Sequence, residues 1–214
     1  MKKGILFDLD GTLLDTLADL ADSVNHVLEQ FGYPQRSMDE IRRFVGNGVE
    51  RLIALAVPAG VDHEPVLGAF RPYYQAHCRE KTGPYAGVVD ALERLGRIYP
   101  VAIVSNKPDA AVKSLCAEYF GGVYALGERA DCPRKPAADM VFKAMEAIGV
   151  DRCVYIGDSE VDVATAKNAG VPCLSVLWGF RTRQELEQAG AEHFCESAEE
   201  MDARIIDLLR LDDR

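Results

Sequence analysis

From Thr82 to Val176 the chain alternates short apolar runs with amphipathic stretches, a rhythm that few folds accommodate. Val88, Val89, Leu92 and Leu95 recur at helical spacing, and Val101-Ala102-Ile103-Val104 then reads as a buried strand ending at Ser105-Asn106. A helix is predicted over Asp109 to Glu118, a strand over Val123 to Leu126, and a helix carrying Met140, Val141, Ala144, Met145 and Ile148. The strand Cys153-Val154-Tyr155-Ile156 follows, ending at Gly157-Asp158, and then a helix to Ala169 stopped by Gly170. A strand over Pro172 to Val176, a Trp178-Gly179 loop and two closing helices complete the pattern. Repeated strand–helix units predict an α/β fold, a parallel sheet with helices on both faces.

The amino-terminal run Gly4-Ile5-Leu6-Phe7-Asp8-Leu9-Asp10-Gly11-Thr12 begins as another buried strand and ends in two carboxylates and a glycine turn. Between it and the repeating units lies a helical block. Leu17, Leu20, Ala21, Val24, Val27, Leu28 and Phe31 mark a long amphipathic helix ended by Gly32 and Pro34. Ser37 or Asp39 caps a short helix through Phe44, Gly46-Asn47-Gly48 turns the chain, and helices follow over Val49 to Val57 and Glu64 to Lys81. The expected organisation is a core of residues 1–15 and 82–214 interrupted by a helical insertion, residues 16–81.

The 214 residues carry a formal net charge of −10, which argues against a nucleic-acid face and requires local cations or a metal wherever an anion is bound. No stretch reaches the ~18 apolar residues of a membrane span, and the apolar run behind Met1-Lys2-Lys3 breaks at Asp8, too early for a signal peptide. The six cysteines form no C-x-x-C pair and no zinc spacing, so reduced, buried thiols in a cytoplasmic protein are expected.

In a parallel sheet the carboxyl ends of the strands share one edge, where open α/β folds bind ligands. Four polar groups fall there: Asp8 with Asp10, Ser105 with Asn106, Lys135, and Asp158 with Asp162. Each alone has a bland reading, as a capping turn or a surface lysine. Together they form a site. Asp8, Asp10 and Asp158 supply hard oxygen ligands of the kind Mg²⁺ prefers, and crowded carboxylates without a cation would repel one another. Lys135 and the Ser105 hydroxyl are suited to phosphoryl oxygens, with backbone N–H groups assisting.

These residues match a known pattern. Asp8-x-Asp10-Gly11-Thr12, Ser105-Asn106, Lys135-Pro136 and Gly157-Asp158-Ser159-x-x-Asp162 resemble the four motifs of the haloacid dehalogenase-like hydrolases, and within them the phosphoglycolate phosphatase-like group. The resemblance implies a Rossmann-like core with an inserted α-helical cap, the active site lying between them. It implies that Asp8 is the nucleophile and Asp10 the general acid and base. Mg²⁺ would be held by Asp8, the Asp10 backbone carbonyl and Asp158. Asp162 would be a ligand through water or a partner of Lys135. Ser105 and Lys135, supported by Asn106, Gly11 and Thr12, would hold the phosphate. An acid at position 10 suits protonation of an alkoxide and so favours phosphoryl transfer over carbon–halogen cleavage.

The expected substrate is a small phosphorylated metabolite, 2-phosphoglycolate first. The stretch Phe44 to Leu52 resembles the cap loop of phosphoglycolate phosphatases, which makes Asn47 and Arg51 candidate contacts for a small carboxylate; the same glycines also suit a plain tight turn. Arg42, Arg43 and Arg71 are further cap cations. A sugar phosphomutase and a broad-specificity, nucleotide or pyrophosphate phosphatase are the enzymatic alternatives. A silent regulatory or phospho-acceptor protein is the non-enzymatic one. Residues 16–80 contain no lysine, which disfavours Schiff-base chemistry in the insertion. A monomer or homodimer is expected.

Overall fold

A computed structural model describes residues 1–211. The central strand, β1 (Lys3–Phe7), pairs in parallel with β4 (Val101–Pro108) on one side and β6 (Arg152–Gly157) on the other. Outside β4 lies β5 (Tyr124–Glu128); outside β6 lie β7 (Cys173–Val176) and β8 (Phe194–Cys195), giving the order β5-β4-β1-β6-β7-β8. The chain therefore builds outward from β1 through β4 to β5, then returns to the other side of β1 with β6. The switch of direction opens a crevice at the carboxyl end of β1.

Side chains alternate across β1. Ile5 and Phe7 enter one apolar cluster with α5 (Val88–Gly96), α6 (Asp109–Tyr119) and α10 (Ala198–Leu211), while Leu6 enters a second with α7 (Asp139–Ile148) and α8 (Glu160–Ala169). Both faces are covered, so β1 reads as an uninterrupted apolar run. A short helix, α9 (Arg183–Gln188), follows the β7 loop.

Residues 16–81 form α1 (Leu17–Gln30), α2 (Met38–Phe44), α3 (Gly48–Ala56) and α4 (Glu64–His77). Their apolar faces make a third cluster, containing Leu20, Val24, Leu28, Ile41, Leu52 and Phe70. Two residues from the sheet-bearing part join it, Ala111 and Phe180. The two crossings between the parts lie side by side as an antiparallel pair, β2 (Leu14–Asp15) and β3 (Gly83–Pro84).

The sequence expectation extends the fourth helix to Lys81, but α4 ends at His77. The reason is Asp19, buried in the first turn of α1, whose carboxylate accepts from the backbone N–H groups of Lys81 (2.9 Å) and Thr82 (2.9 Å). Those amides serve the crossing rather than a helix. All six cysteines are free, five of them buried. No helix among the described residues is long and apolar enough to cross a membrane.

Candidate active site

Beyond β1 the backbone N–H of Asp8 still donates to Ile156 (2.8 Å), so the Asp8 side chain is fixed at the mouth of the crevice. Leu9 to Leu14 then form a tight loop in which the N–H groups of Leu13 and Leu14 both donate to the Leu9 carbonyl. Gly11 sits in it at φ +82°, and a Cβ there would lie 2.3 Å from Asp158 Oδ2. Only glycine permits both the backbone turn and the approach of that carboxylate.

Lys135, reached through the α7-side loop, is completely buried. Its ammonium contacts Asp8 (2.8 Å), Asp162 (2.8 Å) and the Tyr155 hydroxyl (3.0 Å), which uses its three protons. Burial works against this charge, but Asp162 and Asp8 outweigh it and hold the ammonium above its ordinary range. Asp162 is saturated in turn: one oxygen serves Lys135 and Tyr155, while the other accepts from the Ser159 N–H (3.1 Å) and hydroxyl (2.6 Å). Its observed role is to position Lys135 and close the start of α8.

Asp158 accepts from the Phe180 N–H (2.7 Å) and from the Thr12 hydroxyl (3.3 Å). Burial, then repulsion from Asp162 and Asp8, pushes its carboxyl well above the usual range. Burial and Asp162 likewise raise Asp8 to about 7 despite Lys135. Carboxylate oxygens of Asp8, Asp158 and Asp162 lie within 4.8 Å of one another, an all-oxygen cluster with more negative charge than Lys135 neutralises. That donor set fits a hard divalent cation such as Mg²⁺.

Asp10 takes a different partner. Its Oδ1 pairs with the buried ammonium of Lys107 at 2.8 Å. Ser105 lines the cavity, and its hydroxyl accepts from the Lys107 N–H (3.3 Å). The Asn106 side chain faces backbone: it donates to the carbonyls of Gly46 (3.0 Å) and Lys135 (2.9 Å) and accepts from the Lys135 N–H (2.9 Å). Asn106 thus ties the helical insertion to the loop that carries Lys135. Asn47 ends as the residue before α3 with no capping bond from its side chain, whereas its neighbours Gly46 and Gly48 line the cavity. Arg51 lies on an exposed face of α3 and is not among the lining residues.

The cavity lies between the two parts of the molecule, walled by Leu20, Val45, Val49 and Leu52 from the insertion and by the charged residues above. Two of its cations lie outside the four motifs. Lys107 follows Ser105 by two residues at a strand end, so the alternation that aligns Asp8 with Asp10 also points to it. Arg181 is buried in the loop after β7. It contacts Glu160 (2.7 Å) and donates to the carbonyls of Arg42 (2.9 Å) and Val45 (2.8 Å) at the carboxyl end of α2. Nothing local in the sequence announces that role.

Residues 5–176 match the model of the haloacid dehalogenase-like hydrolase family. The chain belongs to the haloacid dehalogenase-like hydrolases. A phosphoglycolate phosphatase of Rhodobacter capsulatus is 37% identical to this hydrolase over 194 residues, covering 85% of this chain and 87% of its own. Phosphoglycolate phosphatase 1 of Pseudomonas aeruginosa is 32% identical over 220 residues, 96% of this chain and 76% of that one. Among solved structures, a protein from Lactobacillus delbrueckii subsp. bulgaricus, provisionally assigned as a phosphoglycolate phosphatase, superposes with a TM-score of 0.89. It is 38% identical, with 96% of this chain and 99% of that chain covered.

Proposed function

We propose that this hydrolase is a Mg²⁺-dependent phosphatase of small phosphate monoesters, with 2-phosphoglycolate as its principal substrate. The observation that carries the reading is the division of labour at the end of β1. Asp8 and Asp10 lie two residues apart, yet one is held by Lys135 and the other by Lys107. Two carboxylates with separate partners suit two separate tasks. The relatives' names supply the substrate, and the small cavity closed by the helical insertion is compatible with it.

Asp8 attacks the phosphorus through a carboxylate oxygen while the bond to the ester oxygen breaks. Asp10 delivers a proton to that oxygen, so the alcohol leaves neutral. The same carboxylate then takes a proton from water as the water oxygen attacks the aspartyl-phosphate, releasing inorganic phosphate and restoring Asp8. Lys135 keeps the Asp8 carboxylate oriented and offers positive charge to the phosphoryl oxygens, with the Ser105 hydroxyl beside it. Asp8 and Asp158, with the Asp10 carbonyl, would hold Mg²⁺, which when bound neutralises the carboxylates and the phosphoryl group together. Asp162 serves by fixing Lys135. Residues 16–81 act as a cap, excluding water from the leaving group's side of the cleft.

Asp8→Asn tests the mechanism: phosphate release from 2-phosphoglycolate is expected to fall below detection, with chelator abolishing and Mg²⁺ restoring the wild-type rate. Survival of Mg²⁺-dependent turnover in the variant would remove Asp8 from its role. A kcat/KM panel over small esters tests the substrate, and a flat profile would replace phosphoglycolate with a broad-specificity reading.

A further inference from the structure

Three cations line the cavity: Lys107, Lys135 and Arg181. Lys135 has spent its three protons on Asp8, Asp162 and Tyr155. Arg181 is occupied by Glu160 and the two α2 carbonyls. Lys107 is different. Its ammonium is 4% exposed as a residue and makes one hydrogen bond of normal geometry, to Asp10. Tyr74 of α4 covers it, the ammonium lying 4.8 Å from the ring centroid. The Tyr74 hydroxyl, on a residue only 2% exposed, makes no hydrogen bond of normal geometry among the described residues, and the polar group it interacts with is the Lys107 ammonium. A buried phenol without a well-formed hydrogen bond is costly, and an accepting ligand group would relieve that cost. Cation and hydroxyl thus stand together, one from each part of the molecule.

Their place relative to Asp10 defines what they can bind. If Asp10 protonates the ester oxygen, that oxygen lies next to Asp10. A substituent one or two bonds further along the leaving group then reaches the cation that Asp10 contacts. The cap arginines Arg42, Arg43, Arg51 and Arg71 do not line this cavity, and Arg181 has one N–H left of five, so Lys107 is the cation there with the most donor capacity to spare; Tyr74 backs it from the adjoining cavity. We propose that Lys107 and Tyr74 form the specificity subsite for a carboxylate on the leaving group. The incoming carboxylate takes over the Lys107 ammonium and accepts from the Tyr74 hydroxyl, leaving Asp10 free to face the ester oxygen. Selection then occurs where core and cap meet, because neither half of the subsite is complete alone. This inference rests on the phosphatase reading above.

The test compares 2-phosphoglycolate with phosphoglycolamide, its uncharged counterpart, in the wild-type enzyme, Lys107→Met and Tyr74→Phe. The readout is the kcat/KM ratio of acid over amide, which general damage to the site does not move. Wild type is expected to favour the acid at least about 10-fold, as a charged hydrogen-bonded contact allows. Lys107→Met should bring the ratio close to unity, and Tyr74→Phe should lower it several-fold. A preserved wild-type ratio in both variants overturns the subsite while leaving the substrate assignment standing. If Lys107→Met does not fold, the ratio in Tyr74→Phe decides by the same criterion. A wild-type enzyme that hydrolyses both esters equally well overturns the phosphoglycolate reading itself, and the subsite with it.

Discussion

A methyl group at position 179 would meet Asp158 Cβ at 2.3 Å and the Gly11 carbonyl at 2.4 Å. Neither neighbour is the end of a flexible side chain, so Gly179→Ala must displace Asp158 or the loop that faces it. Overpacking of this kind costs about 1–3 kcal/mol, and here the strain falls on a carboxylate of the proposed metal cluster. We expect Gly179→Ala to lower Tm and to weaken Mg²⁺ binding at least about tenfold, measured by calorimetric titration. Unchanged Mg²⁺ affinity would separate Asp158 from the cation. At this scale the sequence was most legible where chemistry is concentrated in short strand-end motifs. Asp8, Asp10, Ser105, Lys135 and Asp158 do meet in one cavity. Asn106 joins the site but spends its side chain on backbone, which residue type does not reveal. Arg51 and Asn47 rest on the resemblance of Phe44 to Leu52 to the cap loop of phosphoglycolate phosphatases. Which way a helix faces depends on packing between the two parts, so their orientation was not readable locally.

Among the elements, α2 shows how the two parts are joined. At its amino end Ser37 and Glu40 form a capping box, readable in the sequence as S-x-x-E. At its carboxyl end the orphan carbonyls of Arg42 and Val45 are satisfied by Arg181, more than a hundred residues away in the chain. The same loop places the Phe180 N–H on Asp158 and the Phe180 ring in the apolar cluster of the helical insertion. Arg181→Ala would leave those carbonyls and Glu160 without their partner, a loss of about 1–3 kcal/mol concentrated at this junction. Faster hydrogen exchange in α2 and the start of α3 is expected, with KM for phosphoglycolate raised about tenfold or more. If α2 exchanges no faster in the variant, Arg181 does not hold the helical insertion. The long helices were legible because an apolar stripe at 3.6-residue spacing is a strong signal. The crossings β2 and β3 were not, since two-residue strands such as Leu14–Asp15 exist only through their pairing. β8, equally short, was missed for the same reason.

The stability of the whole molecule is coupled to the carboxylate cluster, because β1, β6 and the loop after β7 converge on it and the helical insertion walls the same cavity. Asp8 is raised to about 7 by burial and Asp162, against roughly 4 for an unfolded aspartate. The folded state therefore holds a proton that the unfolded chain has released between those values. Stability from this group is fully present below about pH 4 and is lost as pH rises through 7. Asp158, also raised by burial and its acidic neighbours, adds in the same direction. A cation bound by these carboxylates competes with the protons and removes the repulsion, so its stabilisation must grow with pH over this window. In chelator, Tm is expected to fall between pH 6 and pH 8. Saturating Mg²⁺ should raise Tm more at pH 8 than at pH 6, because at pH 6 part of its binding energy goes into displacing protons from Asp8. Thermal denaturation at the two pH values, with and without Mg²⁺, measures both effects. An equal Mg²⁺ increment at both would mean that the cation binds groups already ionised at pH 6, and Asp8 would no longer be counted among its ligands.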